Sequence, residues 1–228
     1  MSAMRVVSRH FAARQLLLTL VIAAALPAFS QTAVPSAPPR SSSRPYTGDL
    51  SIFDYPDRDK KLQIDRVMDL LGIQPGKNVA DIGAGSGWFT ERASKRVGPT
   101  GAVLAEDINP IAIETIGKRV ISDKLTNVRT VLGQPDDPLL PPGSVNAVLL
   151  LKVYHEIAHP VDFMKKLRPA LRQGAKIGII DRNGNGANHG LDHGVVEKEM
   201  GEAGFRLSAT YDFTKADGQD YFLIFEAK

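Results

Sequence analysis

The chain has 228 residues and a formal charge of +3, from 28 basic and 25 acidic side chains, with 43% hydrophobic and 23% charged residues. That composition excludes a disordered polyelectrolyte, and the length suits one folded domain plus a tail. With no cysteine present, disulfide frameworks, zinc ribbons, iron–sulfur clusters and a thiol nucleophile are excluded as well.

The N-terminal segment reads as an export signal. Arg5, Arg9 and Arg14 precede an uncharged run from Leu16 to Phe29, and Ala28-Phe29-Ser30 closes it with small residues at the −3 and −1 positions. These are the three parts of a secretory signal peptide over 1–30, cleaved after Ser30. The run has 14 residues, short of the ~20 needed to span a bilayer, so no stable membrane anchor is expected. The expected location is periplasmic or secreted. From Gln31 onward acidic and basic side chains balance at 25 each. The positive excess therefore belongs to the signal and gives no support to a nucleic-acid partner. Residues 31–50 are rich in proline and serine and read as a disordered linker; the folded domain is placed at 51–228.

Within that domain strands and helices alternate. Ile64, Val67, Met68 and Leu71 follow one helical stripe in a helix predicted over 58–71, stopped by Gly72. The next expected elements are a strand over 78–82, a helix over 88–97 and a strand over 102–107. Asn109 and Pro110 then cap a helix. Strands are expected over 128–132 and 145–153, a helix over 160–171, a strand over 175–180 and a helix over 195–203. The segments 205–211 and 221–226 read as a terminal hairpin. This order implies βαβ units, a parallel sheet covered on both faces, and a ligand at the carboxyl ends of the strands.

The residues following the first strand are Asp81-Ile-Gly83-Ala-Gly85-Ser-Gly87-Trp88. The spacing fails the dinucleotide fingerprint, which needs Gly-x-Gly-x-x-Gly, and no Lys-Ser/Thr pair makes a phosphate loop. Glycines there admit a ligand close to the backbone. Asp107, twenty residues beyond Gly87, ends the second strand, where a carboxylate accepts from the hydroxyls of a ribose. A nucleoside ligand without a pyrophosphate fits both features.

The chain here resembles the class I S-adenosylmethionine-dependent methyltransferases. The resemblance lies in Val79 to Gly87, in Ala105-Glu-Asp-Ile-Asn-Pro110, in Gly133-Gln-Pro-Asp-Asp-Pro138 and in Leu167 to Gly174. It implies an α/β, Rossmann-like fold: a seven-stranded, mostly parallel sheet with helices on both faces and an antiparallel last strand. It implies S-adenosylmethionine as cofactor, held by Asp81, Gly83, Gly85, Gly87, Asp107, Ile108, Gln134 and Asp136. The segment Tyr154-His155-Glu156, with His189 further on, is similar to a subgroup of exported methyltransferases. By that resemblance Tyr154 and His155 are the candidate catalytic residues. Lys152, Glu156, Arg182 and His189 are the candidate acceptor contacts, for a small molecule. Lys152 and Asp181-Arg182-Asn183 depart from the subgroup's pattern at the acceptor side.

His155-Glu-Ile-Ala-His159 also matches the zinc-protease pattern, which needs both imidazoles on one helix face. Pro160 follows at once, and proline starts helices rather than continuing them, so the two rings are not expected to converge. No metal ligand set is assigned. Three functions are carried forward: methyl transfer, non-catalytic binding of the methyl donor or its demethylated product, and, least favoured, a zinc hydrolase on His155, Glu156 and His159. The oligomeric state is left open.

Overall fold

A computed structural model describes residues 40–228. The signal segment, its cleavage point and residues 31–39 of the linker lie outside the described residues.

The predicted helix over 58–71 is two helices, α1 (Arg58–Leu62) and α2 (Ile64–Leu71), parted at Gln63 with φ 51°. The break lets α2 bury Ile64, Val67, Met68 and Leu71, while Arg58 turns inward and stacks its guanidinium on Trp88 at 4.2 Å. There follow β1 (Asn78–Ile82), α3 (Trp88–Val97), β2 (Ala102–Asp107), α4 (Pro110–Ser122), β3 (Val128–Leu132) and β4 (Val145–Leu151). Next come α5 (Pro160–Leu167), β5 (Leu171–Asp181), α6 (His193–Glu202), β6 (Phe205–Tyr211) and β7 (Tyr221–Ala227). Asn109 Oδ1 accepts from Ile111 N at 2.9 Å, so the cap of α4 is as expected. Helix α5 ends earlier than predicted, in a tight turn over Arg168–Ala170. Pro169 lacks the N–H that would continue it.

The seven strands form one sheet in the order β3-β2-β1-β4-β5-β7-β6. β1 to β5 are mutually parallel, and β7 runs antiparallel to both β5 and β6. This is the Rossmann-like fold class expected from the sequence. Alternate residues of the central strands serve opposite faces. Val79, Ala147 and Leu149 pack with α2 and α3. Ala80, Val148 and Leu150 pack with α5 and α6. Burial on both faces is why β4 reads as an unbroken apolar run. The strand order reverses between β1 and β4, and the crevice beyond their carboxyl ends is where such sheets take ligands.

Candidate active site

β1 delivers the chain into three glycines with φ of 65°, 57° and 78° at Gly83, Gly85 and Gly87. This left-handed backbone disfavours any other residue. A Cβ on Gly83 would also stand 2.9 Å from Val153 Cβ. Beside the loop, β2 ends in Glu106 and Asp107. Asp107 Oδ2 accepts from Gly85 N at 2.9 Å and Oδ1 accepts from Asn109 N at 2.8 Å. Glu106 is almost wholly buried; its Oε2 accepts weakly from Gly83 N at 3.4 Å and its Oε1 has no partner. Gly133 makes room for it, since a Cβ there would overlap Glu106 Oε1. Burial and the neighbouring Asp107 push the Glu106 carboxyl up to about 8. Burial likewise raises Asp81 to about 7, against a 2.6 Å hydrogen bond donated by Thr90 Oγ1.

These groups border a cavity of ≈ 370 Å³ at the switch point. Of the residues named from the sequence, Asp81, Gly83, Gly85, Asp107, Ile108, Lys152 and Glu156 line it. Phe53 lines it as well, and so do Arg58, Glu106 and Pro135, which are not singled out by the sequence. Arg58 carries no motif; it looks like any charge on an exposed helix. In fact its Nη1 donates to Phe53 O at 2.6 Å, and burial lowers its pKa.

Other expected site residues lie elsewhere. Gly87 caps α3 and abuts Ile116 rather than the cavity. Gln134 pairs through its backbone with Asp137. Asp136 is at the surface, in an ion pair with Lys166 at 2.6 Å. The 133–138 segment instead presents Pro135 to the cavity. Tyr154 is fully buried in the core cluster with α6 and does not line the cavity. A short turn over Tyr154–Glu156 sends successive side chains to different sides, so only Glu156 of the three reaches the cavity. Arg182 does not line the cavity: its Nε donates to His189 O at 2.8 Å, which ties it to the 184–190 loop.

Behind Glu156, His155 is buried and its Nδ1 lies 2.7 Å from Asp181 Oδ2, at the end of β5. Burial pushes the Glu156 carboxyl up to about 7. The imidazole that comes to this pair is His189, whose Nδ1 is 3.8 Å from Glu156 Oε1. His159 sits at the cap of α5 with φ −122°, outside a helix, so it shares no helix face with His155.

Residues 40–50, assigned to the linker on composition, lie against this site. Arg40 Nη2 donates to Tyr154 O at 2.6 Å, and its Nε pairs with Glu199 Oε1 at 3.0 Å. Ser43 is buried; its Oγ accepts from His189 N at 2.8 Å and donates to Gly186 O at 3.0 Å. Ser42 to Tyr46 line the cavity.

A family model described as a methyltransferase domain matches residues 79–174. The chain is 27% identical over 116 residues to a ubiquinone/menaquinone biosynthesis C-methyltransferase of Ectopseudomonas mendocina, covering 50% of this chain and 45% of that one. It thus spans about half the length of such curated relatives. Among solved structures, a SAM-dependent methyltransferase from Aquifex aeolicus superposes with TM-score 0.71 at 22% identity, over 78% of this chain and 98% of that one. A Burkholderia thailandensis N1-methyltransferase, crystallised with 1,6-didemethyltoxoflavin and S-adenosylhomocysteine, gives TM-score 0.58 at 17% identity, covering 78% and 80%. Residues 79–174 thus resemble a methyltransferase domain, and the fold of the described residues is one shared with S-adenosylmethionine-dependent methyltransferases of known structure.

Proposed function

We propose that the protein transfers a methyl group from S-adenosylmethionine to a small-molecule acceptor. The observation that carries this reading is the junction of the Gly83–Gly85 loop with Asp107 at the rim of the switch-point cavity. The residues present fit that cofactor. Each Asp107 oxygen accepts one backbone N–H and keeps a lone pair for a ribose hydroxyl. Gly83 and Gly85 leave that wall of the cavity free of Cβ atoms. Ile108, Phe53 and Pro135 offer apolar flanks for a purine.

When bound, the cofactor supplies an electrophilic methyl carbon on a sulfonium. The protein's own task is then to align a nucleophile with that carbon and exclude water. Lys152 and Glu156 are polar side chains facing the cavity from the β4 side, and we assign them to the acceptor. Val153, packed against Gly83, fixes the distance between the two halves of the cavity. His155 meets the acceptor side only past Glu156, and Tyr154 serves the fold rather than the reacting atoms. The small-molecule acceptor is supported by the names of the relatives, which act on a quinone precursor and on a toxoflavin precursor.

Turnover separates this reading from non-catalytic binding. Purified protein with S-adenosylmethionine and a panel of phenol, quinone and amine acceptors should release S-adenosylhomocysteine with at least one of them. Tight cofactor binding with no turnover across the panel would favour the binder.

Export on the segment from Arg5 to Ser30 is part of the proposal. It raises a supply question, because the methyl donor is made in the cytoplasm. Cell fractionation with N-terminal sequencing tests it. A mature chain starting at Gln31 outside the cytoplasm is expected, and an uncleaved cytoplasmic chain would refute it.

A further inference from the structure

His155 Nε2, Glu156 Oε1 and His189 Nδ1 lie within 4.8 Å of one another. Glu156 Oε1 stands 3.9 Å from His155 Nε2 and 3.8 Å from His189 Nδ1, too far for hydrogen bonds. His155 is only 3% exposed, yet its Nε2 has no hydrogen-bond partner. Its other nitrogen, Nδ1, is held at 2.7 Å by the Asp181 carboxylate. A carboxylate only accepts, so Nδ1 carries a proton, and Nε2, the acceptor nitrogen of the neutral imidazole, is left facing Glu156 and His189. A buried imidazole oriented by a carboxylate, with a free lone pair on the far side, is the arrangement that protein metal sites use.

The third ligand is also held in place. His189 has φ 56°; its N–H donates to Ser43 Oγ at 2.8 Å, and its carbonyl accepts from Arg182 Nε at 2.8 Å. The two rings stand edge to face with centroids 5.6 Å apart. The Glu156 side chain is 14% exposed, and a bound cation would offset the cost of burying its charge.

We propose that His155, Glu156 and His189 bind one divalent first-row transition ion, of the zinc type, at the edge of the cavity. Two imidazoles and a carboxylate suit such ions rather than magnesium or calcium. Bonds of ~2.0–2.2 Å need ligand atoms about 3.4 Å apart, so Glu156 Oε1 closes on each imidazole by about half an ångström and the two imidazoles, within 4.8 Å, close by up to about 1.4 Å on binding. Three protein ligands leave a position open. Glu156 lines the cavity, so that position takes an oxygen or sulfur donor of the acceptor. This role for the ion rests on the methyl-transfer reading; the ion site itself does not.

The test uses the untagged full chain, washed with chelator and titrated calorimetrically with zinc, with cobalt absorbance as a second readout. One ion per chain is expected, with affinity lowered ~10–100-fold in Asp181→Asn and at least as much in His189→Ala. His189 is exposed, so its loss leaves the fold intact, which circular dichroism checks. His159→Ala should leave affinity unchanged. No stoichiometric zinc in the wild type, equal affinity in His189→Ala, or loss of affinity in His159→Ala would overturn the assignment. S-adenosylhomocysteine is titrated into the same samples. Its binding without zinc binding removes the ion site and keeps the cofactor reading, and the converse removes only the cofactor reading.

Discussion

Asp107 Oδ2 accepts a hydrogen bond from Gly85 N at 2.9 Å, so the end of β2 clasps the loop leaving β1. The clasp makes one carboxylate both a brace for the loop and a wall of the cavity. Replacing Asp107 by alanine removes both functions. S-adenosylhomocysteine affinity, read by calorimetry, should fall by ~1–3 kcal/mol, as for hydrogen bonds to a charged group. Asp107→Asn keeps one acceptor and should lose less. Equal affinity in wild type and Asp107→Ala would remove the ribose assignment.

Gly83 meets two constraints at once, a φ of 65° and the nearness of Val153. Gly83→Ala should destabilise the chain by ~1–3 kcal/mol in urea unfolding, from left-handed strain plus overpacking. Adding Val153→Ala should recover the packing share but not the strain. Strict additivity of the two substitutions would show that the contact carries no energy.

Glu106 gives a pH dependence. Its carboxyl is pushed up to about 8 in the folded chain, above its ordinary value of 4.5. Between those values the folded state holds a proton that the unfolded state has released. Stability should therefore fall as pH rises through this window, by at most ~1.4 kcal/mol per pH unit for one proton. Asp81, raised to about 7, acts in the same direction. Glu106→Gln should flatten the slope of the urea midpoint between pH 5.5 and 8. An unchanged slope would mean that Glu106 is not the group responsible.

The βαβ order, both sheet faces and the glycine loop with Asp107 were legible in the sequence, because each leaves a local mark. Apolar runs such as Val145 to Leu151 report two-sided burial, and Gly83 and Gly85 report a left-handed backbone that glycine adopts at least cost. What was illegible depends on distant contacts. His189 joins His155 and Glu156 only because Ser43 and Arg182 hold its loop. Arg58 is buried through contacts with Trp88, Tyr55 and the carbonyl of Phe53, and no motif marks it. Tyr154 and His155 sit beside Glu156 in sequence but not in the cavity, since one short turn fans out their side chains. Residues 40–45 have the composition of a linker, and composition does not register that Arg40 meets Glu199.

That ion pair supports a prediction of its own. Arg40→Ala leaves Glu199, already raised by burial, without its counter-charge, and removes the donor to Tyr154 O. A loss of ~1–3 kcal/mol is expected in thermal unfolding, with faster protease cleavage between residues 40 and 50. An unchanged melting temperature and cleavage rate would show that this segment does not brace the site.

The proposed function requires the cavity beside Asp107 and the glycine loop to hold S-adenosylmethionine. Calorimetric titration of the wild-type chain with S-adenosylmethionine and S-adenosylhomocysteine tests this most directly. One site per chain for each is predicted, with affinity lost in Asp107→Ala; no binding of either below millimolar would contradict it.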